Sequence, residues 1–307
     1  MGKASRASFG MALAEFGTDP RVVILDADLS KSTKSADFGN KFPDRFFNVG
    51  ITEAGMIGTA AGLALCGKIP FCCSFACFVT GRYDQIRVSV GYTNANVRIV
   101  GTHAGVAIGE DGYSQQGLED IATVRSLPNM TILQPADHLE TVAAVKYLIQ
   151  EHQGPVYLRL TRQNLNEVHS EGYTFQFGQA DRLQEGSDLT IIATGGVVGS
   201  ALYAAKALAE KGVQADVLNI HTIRPIDRES IVESAARTGR VVTVEDHSIV
   251  GGLGSAVAEV LSEEQPTRLL RIGMTEYGES GSPEDLYQKF GLNGPGVLAK
   301  IESWLEA

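Results

Sequence analysis

The chain has 307 residues, 44% hydrophobic and 20% charged, and carries a formal net charge of −10 with a pI near 5.1. This is the composition of a globular chain long enough for two buried cores. The acidic balance argues against nucleic acid or an anionic membrane as partner, but a local basic cluster for a phosphorylated ligand is compatible with it.

The N-terminus MGKASRASFG lacks the apolar core of a signal peptide, and Gly2 is discounted as a myristoylation site. No apolar run reaches the length of a membrane span, so a cytoplasmic protein is expected. Cys66, Cys72, Cys73 and Cys77 fall in one segment that reads as buried. With no histidine partner and no CxxC spacing, they are expected to be free thiols in a reducing compartment.

In chain order, residues 4–17 predict an amphipathic helix with Phe9, Leu13 and Phe16 inward. Val22–Asp26 reads as a buried strand, and DADLSKSTKSADF after it as a polar loop at the strand's carboxyl end. Residues 46–49 form a second strand, with Gly50 at a sharp turn. From Glu53 the pattern is helical, with Met56, Ile57, Ala60, Ala61 and Ala64 on apolar faces and Gly55, Gly58 and Gly62 leaving room for another backbone. Phe71, Phe75 and Phe78 lie along the next strand and the loop beyond it, which feeds a further helix toward Arg87. A strand at 96–101 precedes the long loop THAGVAIGEDGYSQQG, whose length and glycine content point to function. A helix at 118–126, a strand at 131–134, a helix at 137–152 and a strand at Val156–Arg159 complete a first parallel sheet covered on both faces.

Periodicity fades over 163–187. The domain division is therefore 1–165, a linker at 166–187, and a second α/β domain at 188–307. Its expected elements are a strand at Leu189–Ala193, a helix at 199–211, a strand at 215–220, a turn at Arg224 and Pro225, and a helix at 227–238. A strand at 240–244, a helix at 252–262, a strand at 268–272 and a last helix at 296–306 follow. The clusters GGVVG and GGLGS are read as tight strand-to-helix turns, because neither completes a dinucleotide-binding fingerprint.

The residues with chemistry to offer are scattered. Glu53 heads its helix, where a carboxylate commonly just complements the helix dipole. In an apolar pocket the same carboxyl could serve as a proton donor, and nearby aromatic faces could hold a flat heteroaromatic ring. Arg6, Ser32, His103 and Arg162 each have a plain reading as surface charge, turn residue, loop histidine or strand-end charge.

The stretch FFNVGITEAGMIGTAAGLALCGKIPFCCSFACFVTGRYDQIR resembles the pyrimidine-binding domain of thiamine diphosphate enzymes, and transketolases most closely. The resemblance covers nearly the whole chain, but only the second and third domains of a full-length transketolase. It implies that Glu53 hydrogen-bonds the pyrimidine N1′ and promotes the imino tautomer, with Phe78 stacked on the ring and Phe75 and Gln115 beside it. ASRASFG, DLSKS, the THAG loop and TRQN match the family's sugar-phosphate residues in order, which implies that Arg6, Ser32, His103 and Arg162 hold the phosphate. Asp111 in GEDG matches the aspartate that bonds substrate hydroxyls. Two departures stand out: Tyr113 and Gln115 occur where many members have Pro and His, and Gly81 where many have an aromatic residue. Glutamine can donate a hydrogen bond but not a proton.

The family's GDG…N motif for Mg²⁺ and diphosphate is missing from the sequence. The resemblance therefore implies the C-terminal subunit of a split transketolase, paired with an N-terminal subunit as an α2β2 heterotetramer acting on sugar phosphates. The competing readings are the β subunit of a 2-oxo-acid dehydrogenase E1, a deoxyxylulose-phosphate synthase fragment, and a non-catalytic relic of the fold. TRQN, THAG and GEDG favour transketolase.

Overall fold

The computed structural model describes residues 2–307. In the first half, α1 (Ser5–Phe16) leads to β1 (Val22–Asp26), the short helices α2 (Ser30–Thr33) and α3 (Ala36–Lys41), β2 (Phe46–Asn48), α4 (Glu53–Leu65) and β3 (Ile69–Phe75). There follow α5 (Ala76–Thr80), α6 (Tyr83–Gln85) running into a π-helix at Ile86–Tyr92, β4 (Arg98–Thr102), α7 (Asp120–Arg125), β5 (Thr131–Leu133), α8 (His138–Gln150) and β6 (Val156–Arg159). The second half holds β7 (Asp181–Gln184), β8 (Leu189–Ala193), α9 (Val198–Ala209), β9 (Ala215–Asn219), β10 (Thr222–Arg224) and α10 (Arg228–Thr238). It ends with β11 (Arg240–Ser248), α11 (Leu253–Glu264), β12 (Arg268–Met274), α12 (Pro283–Phe290) and α13 (Gly294–Glu306).

The first sheet has seven strands in the order β10-β5-β6-β4-β3-β1-β2, and the second has five in the order β12-β11-β8-β9-β7. All pairings are parallel except β10 on β5 and β7 on β9. Every residue of β1, β3, β4 and β6 is buried, as expected for central parallel strands with helices on both faces. One apolar core fills the face under α1 and α8, with Phe9, Leu13, Phe71 and Leu158. Another runs from Met56 and Ile57 of α4 through Ile132 to Ile192, Ile220 and Ile223, so the two halves share a continuous interior.

Several elements differ from the sequence reading. The polar stretch after β1 is two short helices, because buried Asp26 organises it: the carboxylate accepts from Leu29 N at 2.6 Å, Thr33 Oγ1 at 2.7 Å and Ser35 Oγ at 2.8 Å. The expected linker contains β7, an edge strand antiparallel to β9. The turn at Arg224 follows β10, which joins the sheet of the other half beside β5. Unforeseen α12 starts at Ser282, whose side chain caps Asp285 N. Cys66 is exposed, not buried with Cys72 and Cys73, and all four cysteines are free. Gly58 and Gly62 have no atom near a would-be Cβ, so within this chain nothing packs against them. Among the described residues, no helix is long and apolar enough to cross a membrane, and no group of three or more His, Cys, Asp or Glu is arranged to hold a metal ion.

Candidate active site

The site lies beyond the carboxyl ends of β1, β3, β4 and β6, neighbours at the middle of the first sheet, where open α/β sheets bind ligands. The chain leaves β2 through Gly50, at φ +76°, and enters α4 at Glu53. Glu53 is only 5% exposed. Its Oε1 accepts from Ser74 Oγ at 3.1 Å, and its Oε2 has no hydrogen-bond partner among the described residues. A buried carboxyl with one oxygen fixed and the other free suits a ligand that presents a hydrogen-bonding nitrogen.

Ser74 ties this carboxyl to the rest of the pocket. Its backbone oxygen accepts from Thr102 Oγ1 at 3.3 Å, and Thr102 Oγ1 lies 2.8 Å from His103 Nδ1. On the other side of the ring, Arg6 Nη1 lies 3.0 Å from His103 Nε2. A guanidinium only donates, so Nε2 accepts and the imidazole proton sits on Nδ1, donated to Thr102. Arg6 Nη1 also donates to the carbonyl oxygen of Ser32 at 2.7 Å. A continuous set of contacts thus runs from Glu53 through Ser74, Thr102 and His103 to Arg6.

His103 is 2% exposed. Burial first, then the Arg6 and Arg162 charges, push its pKa down to about 3. Burial and the charge of Arg162 also lower the pKa of Arg6, whose Nε is buried without an acceptor. Arg162, beyond β6, donates through Nη1 to the Ile108 carbonyl and to Glu110 Oε2, the latter at 2.7 Å. Arg6 and Arg162, from distant segments, therefore bring two positive charges to bear on the neutral His103 and make one cationic patch around it. Its one acidic neighbour in hydrogen-bond contact is the exposed Glu110.

The aromatic wall follows from the end of β3. Phe75 stacks on His103 with centroids 3.8 Å apart and on Phe78 with centroids 5.5 Å apart. At 6% exposed, Phe75 supports the wall and leaves little surface for a ligand. Phe78, one turn into α5 and only partly buried, remains as the ring surface. Gln115 is placed beside α5 by a hydrogen bond from Cys77 Sγ to its carbonyl, 3.2 Å.

The structure gives the remaining residues definite placements. Ser32 serves the patch through its carbonyl, and its hydroxyl makes no hydrogen bond among the described residues. His103 is a neutral acceptor from Arg6. Asp111 is exposed on its loop and bonds none of Arg6, His103 or Arg162; its neighbour Glu110 reaches Arg162 instead. Ser74, Thr102 and Glu110 were not singled out from the sequence. Only Glu110 carried a signal there, as the other acid of GEDG.

Comparison with known proteins decides the family. The model for the transketolase pyrimidine-binding domain matches residues 2–168, and the model for the transketolase C-terminal domain matches residues 178–297. The chain belongs to the transketolase family. Its two domains are those of a transketolase C-terminal subunit. It is 46% identical to a putative transketolase C-terminal section of Methanocaldococcus jannaschii, over 97% of this chain and 95% of that protein. It is 44% identical to a 6-deoxy-6-sulfo-D-fructose transketolase subunit of Clostridium sp., over 91% of this chain and 87% of that protein. Human transketolase is 37% identical over 97% of this chain, which spans 48% of the human protein. A solved structure titled a split gene transketolase, inactive beta4 tetramer, is 47% identical and superposes with a TM-score of 0.90, covering 99% of this chain and 98% of that one. Transketolases work with thiamine diphosphate, and the buried Glu53 carboxyl, with one oxygen bonded and the other free, fits the pyrimidine half of that cofactor.

Proposed function

We propose that this chain is the C-terminal subunit of a two-chain transketolase that moves a two-carbon ketol unit from a ketose phosphate to an aldose phosphate. The observation that carries the reading is the set of contacts from Glu53 through Ser74 and Thr102 to His103 and Arg6, with the charge of Arg162 acting on both. These contacts support a reading in which a proton-sharing carboxyl and an anion pocket share one cleft. Glu53 offers Oε2 to the pyrimidine nitrogen N1′ and shares a proton there, while Ser74 fixes its other oxygen. Phe78 covers the ring face, and Gln115 lies alongside. Arg6 and Arg162 hold the phosphate end of the sugar, with His103 orienting Arg6 and Asp111 available to substrate hydroxyls on loop closure. When bound, thiamine diphosphate supplies the electron sink for carbon–carbon cleavage.

The diphosphate and Mg²⁺ fall to an N-terminal partner subunit in an α2β2 assembly. Exposed apolar side chains on and around α4 support a partner there: Ile51, just before Glu53, is 83% exposed, Leu65 at the far end of the helix 72%, and Val88 and Tyr92 on the adjoining π-helix 50% and 87%. The four free cysteines agree with a reducing cytosol. A second substrate reading has support in the relatives, which include a 6-deoxy-6-sulfo-D-fructose transketolase subunit and an apulose-4-phosphate transketolase subunit. Paired arginines take a sulfonate by the same chemistry as a phosphate.

Co-purification with a candidate N-terminal subunit, followed by a ketol-transfer assay with phosphorylated and sulfonated ketoses, tests the reading. Activity is expected only in the two-chain complex. Robust transfer by the isolated chain would contradict it.

A further inference from the structure

The cationic patch is built on two loops, and one carboxylate of the second half of the chain holds both. Asp246, on β11, is 1% exposed. Its Oδ1 accepts from Val106 N at 2.8 Å, and its Oδ2 accepts from the Tyr287 hydroxyl of α12 at 2.9 Å. That hydroxyl, its proton committed to Asp246, accepts from Gln163 Nε2 at 3.0 Å. Val106 follows His103 on the same loop, and Gln163 is the residue after Arg162. Asp246 is itself fixed by Arg159 Nη2, which donates to its backbone carbonyl at 3.0 Å.

The backbone under this grip would not hold its shape unaided. His103 sits at φ +58° and Gly105 at φ +89°, and a non-glycine residue in the left-handed region persists only when its surroundings enforce it. Gly105 lies against the Asp246 carboxylate so closely that a Cβ there would collide with it. The same loop continues to Ile108 and Glu110, the two acceptors of Arg162. Moving either end of the Asp246–Tyr287–Gln163 clasp therefore moves a wall of the patch, although none of the three is a ligand in the reading above.

We propose that Asp246, Tyr287 and Gln163 are positioning residues that set the spacing of the His103 and Arg162 walls, and through it the affinity for the anionic end of the substrate. The proposal rests on the anion pocket described under Proposed function. The two bonds to Asp246 divide the labour. Tyr287→Phe releases only the Arg162 wall, because Val106 N still bonds Oδ1. Asp246→Asn weakens both walls.

The test is a titration of the full 307-residue chain with inorganic phosphate, followed by NMR of the His103 imidazole and the arginine side chains. Thermal unfolding of each variant runs in parallel. Wild type is expected to show saturable shifts. Tyr287→Phe, which loses the bonds to both Asp246 and Gln163, should bind phosphate about three- to tenfold more weakly, with the His103 tautomer unchanged. Gln163→Leu should reproduce that loss, and the double variant should add nothing to it, since each alone breaks the Gln163–Tyr287 bond that ties the Arg162 wall to Asp246. Equal affinity in wild type and Tyr287→Phe, or additive losses in the double variant, would overturn the clasp. If Tyr287→Phe does not fold, Gln163→Leu against wild type decides. A wild-type chain that ignores phosphate would instead remove the anion pocket, and the proposal with it.

Discussion

Two histidines separate the pocket from the seam between the two halves. His103 and His169 are both buried, yet they are driven in opposite directions. His103 has Arg6 and Arg162 for company and no bonded carboxylate; burial and those charges push it down to about 3. Burial also disfavours the His169 cation, but hydrogen bonds from the ring to Asp137 at 2.9 Å and Asp181 at 2.8 Å overcome it and lift the pKa to about 10. Two arginines repeat the contrast. Arg159 is fully buried and pairs with Asp120 at 2.7 Å, while Arg162 keeps a third of its side-chain surface and pairs with exposed Glu110. In the seam each of these cations is bonded to a buried carboxylate, Asp137 for His169 and Asp120 for Arg159. In the pocket, positive groups crowd together with one exchangeable acid, which is how a site for an incoming anion differs from a structural ion pair.

The largest expected effect of this contrast is on stability. Arg159→Ala leaves Asp120 charged and buried without its partner, and should cost about 3–5 kcal/mol, read from the urea midpoint. A loss comparable to that of an exposed ion pair would show that the seam is not a closed network. Arg162→Ala should barely move the urea midpoint. In the assembled enzyme it should raise KM for phosphorylated sugars about ten- to a hundredfold, the cost of a charge-assisted contact, and leave unphosphorylated sugars little affected. Equal losses on both substrate types would place Arg162 outside the anion pocket.

The smallest effect is a pair of pH slopes. The pKa of His169 is raised in the folded state, so its stabilisation is complete below pH 6.5 and fades as the pH climbs toward about 10. His169→Gln should flatten the alkaline fall in thermal midpoint. The pKa of His103 is lowered, so the unfolded chain takes up its proton first, and stability falls as the pH drops below 6.5 toward about 3. His103→Gln should flatten that acid limb and leave the alkaline one alone. Slopes unchanged by either variant would refute the assignment of opposite environments.

Much of the frame was legible in the sequence. Runs such as VVILD and IPFCCSF are buried throughout because parallel strands meet helices on both faces. The elements that escaped are those whose reason lies elsewhere in the chain. Asp26 folds the polar segment after β1 by accepting three hydrogen bonds. β7, sequence DRLQ, has no apolar alternation to betray it and exists by pairing with β9. In the site, Glu53, Phe78, Arg6, His103 and Arg162 stood out through a resemblance in motifs, not through periodicity. That Glu110 and not Asp111 meets Arg162, and that Asp246 grips the loop from 140 residues away, depends on tertiary contacts.

Glu53 is central as a proton-sharing group and not merely a charge in the first turn of α4. Glu53→Gln keeps the shape and can still accept from Ser74, so the pocket should persist and the two-chain complex should form. The decisive measurement is deuterium exchange at C2 of thiamine diphosphate in that complex, followed by NMR. The account predicts exchange slower than wild type by roughly two or more orders of magnitude, the effect of removing a positioned proton-transfer group. Exchange at the wild-type rate would contradict it and leave Glu53 as a dipole-complementing residue of α4.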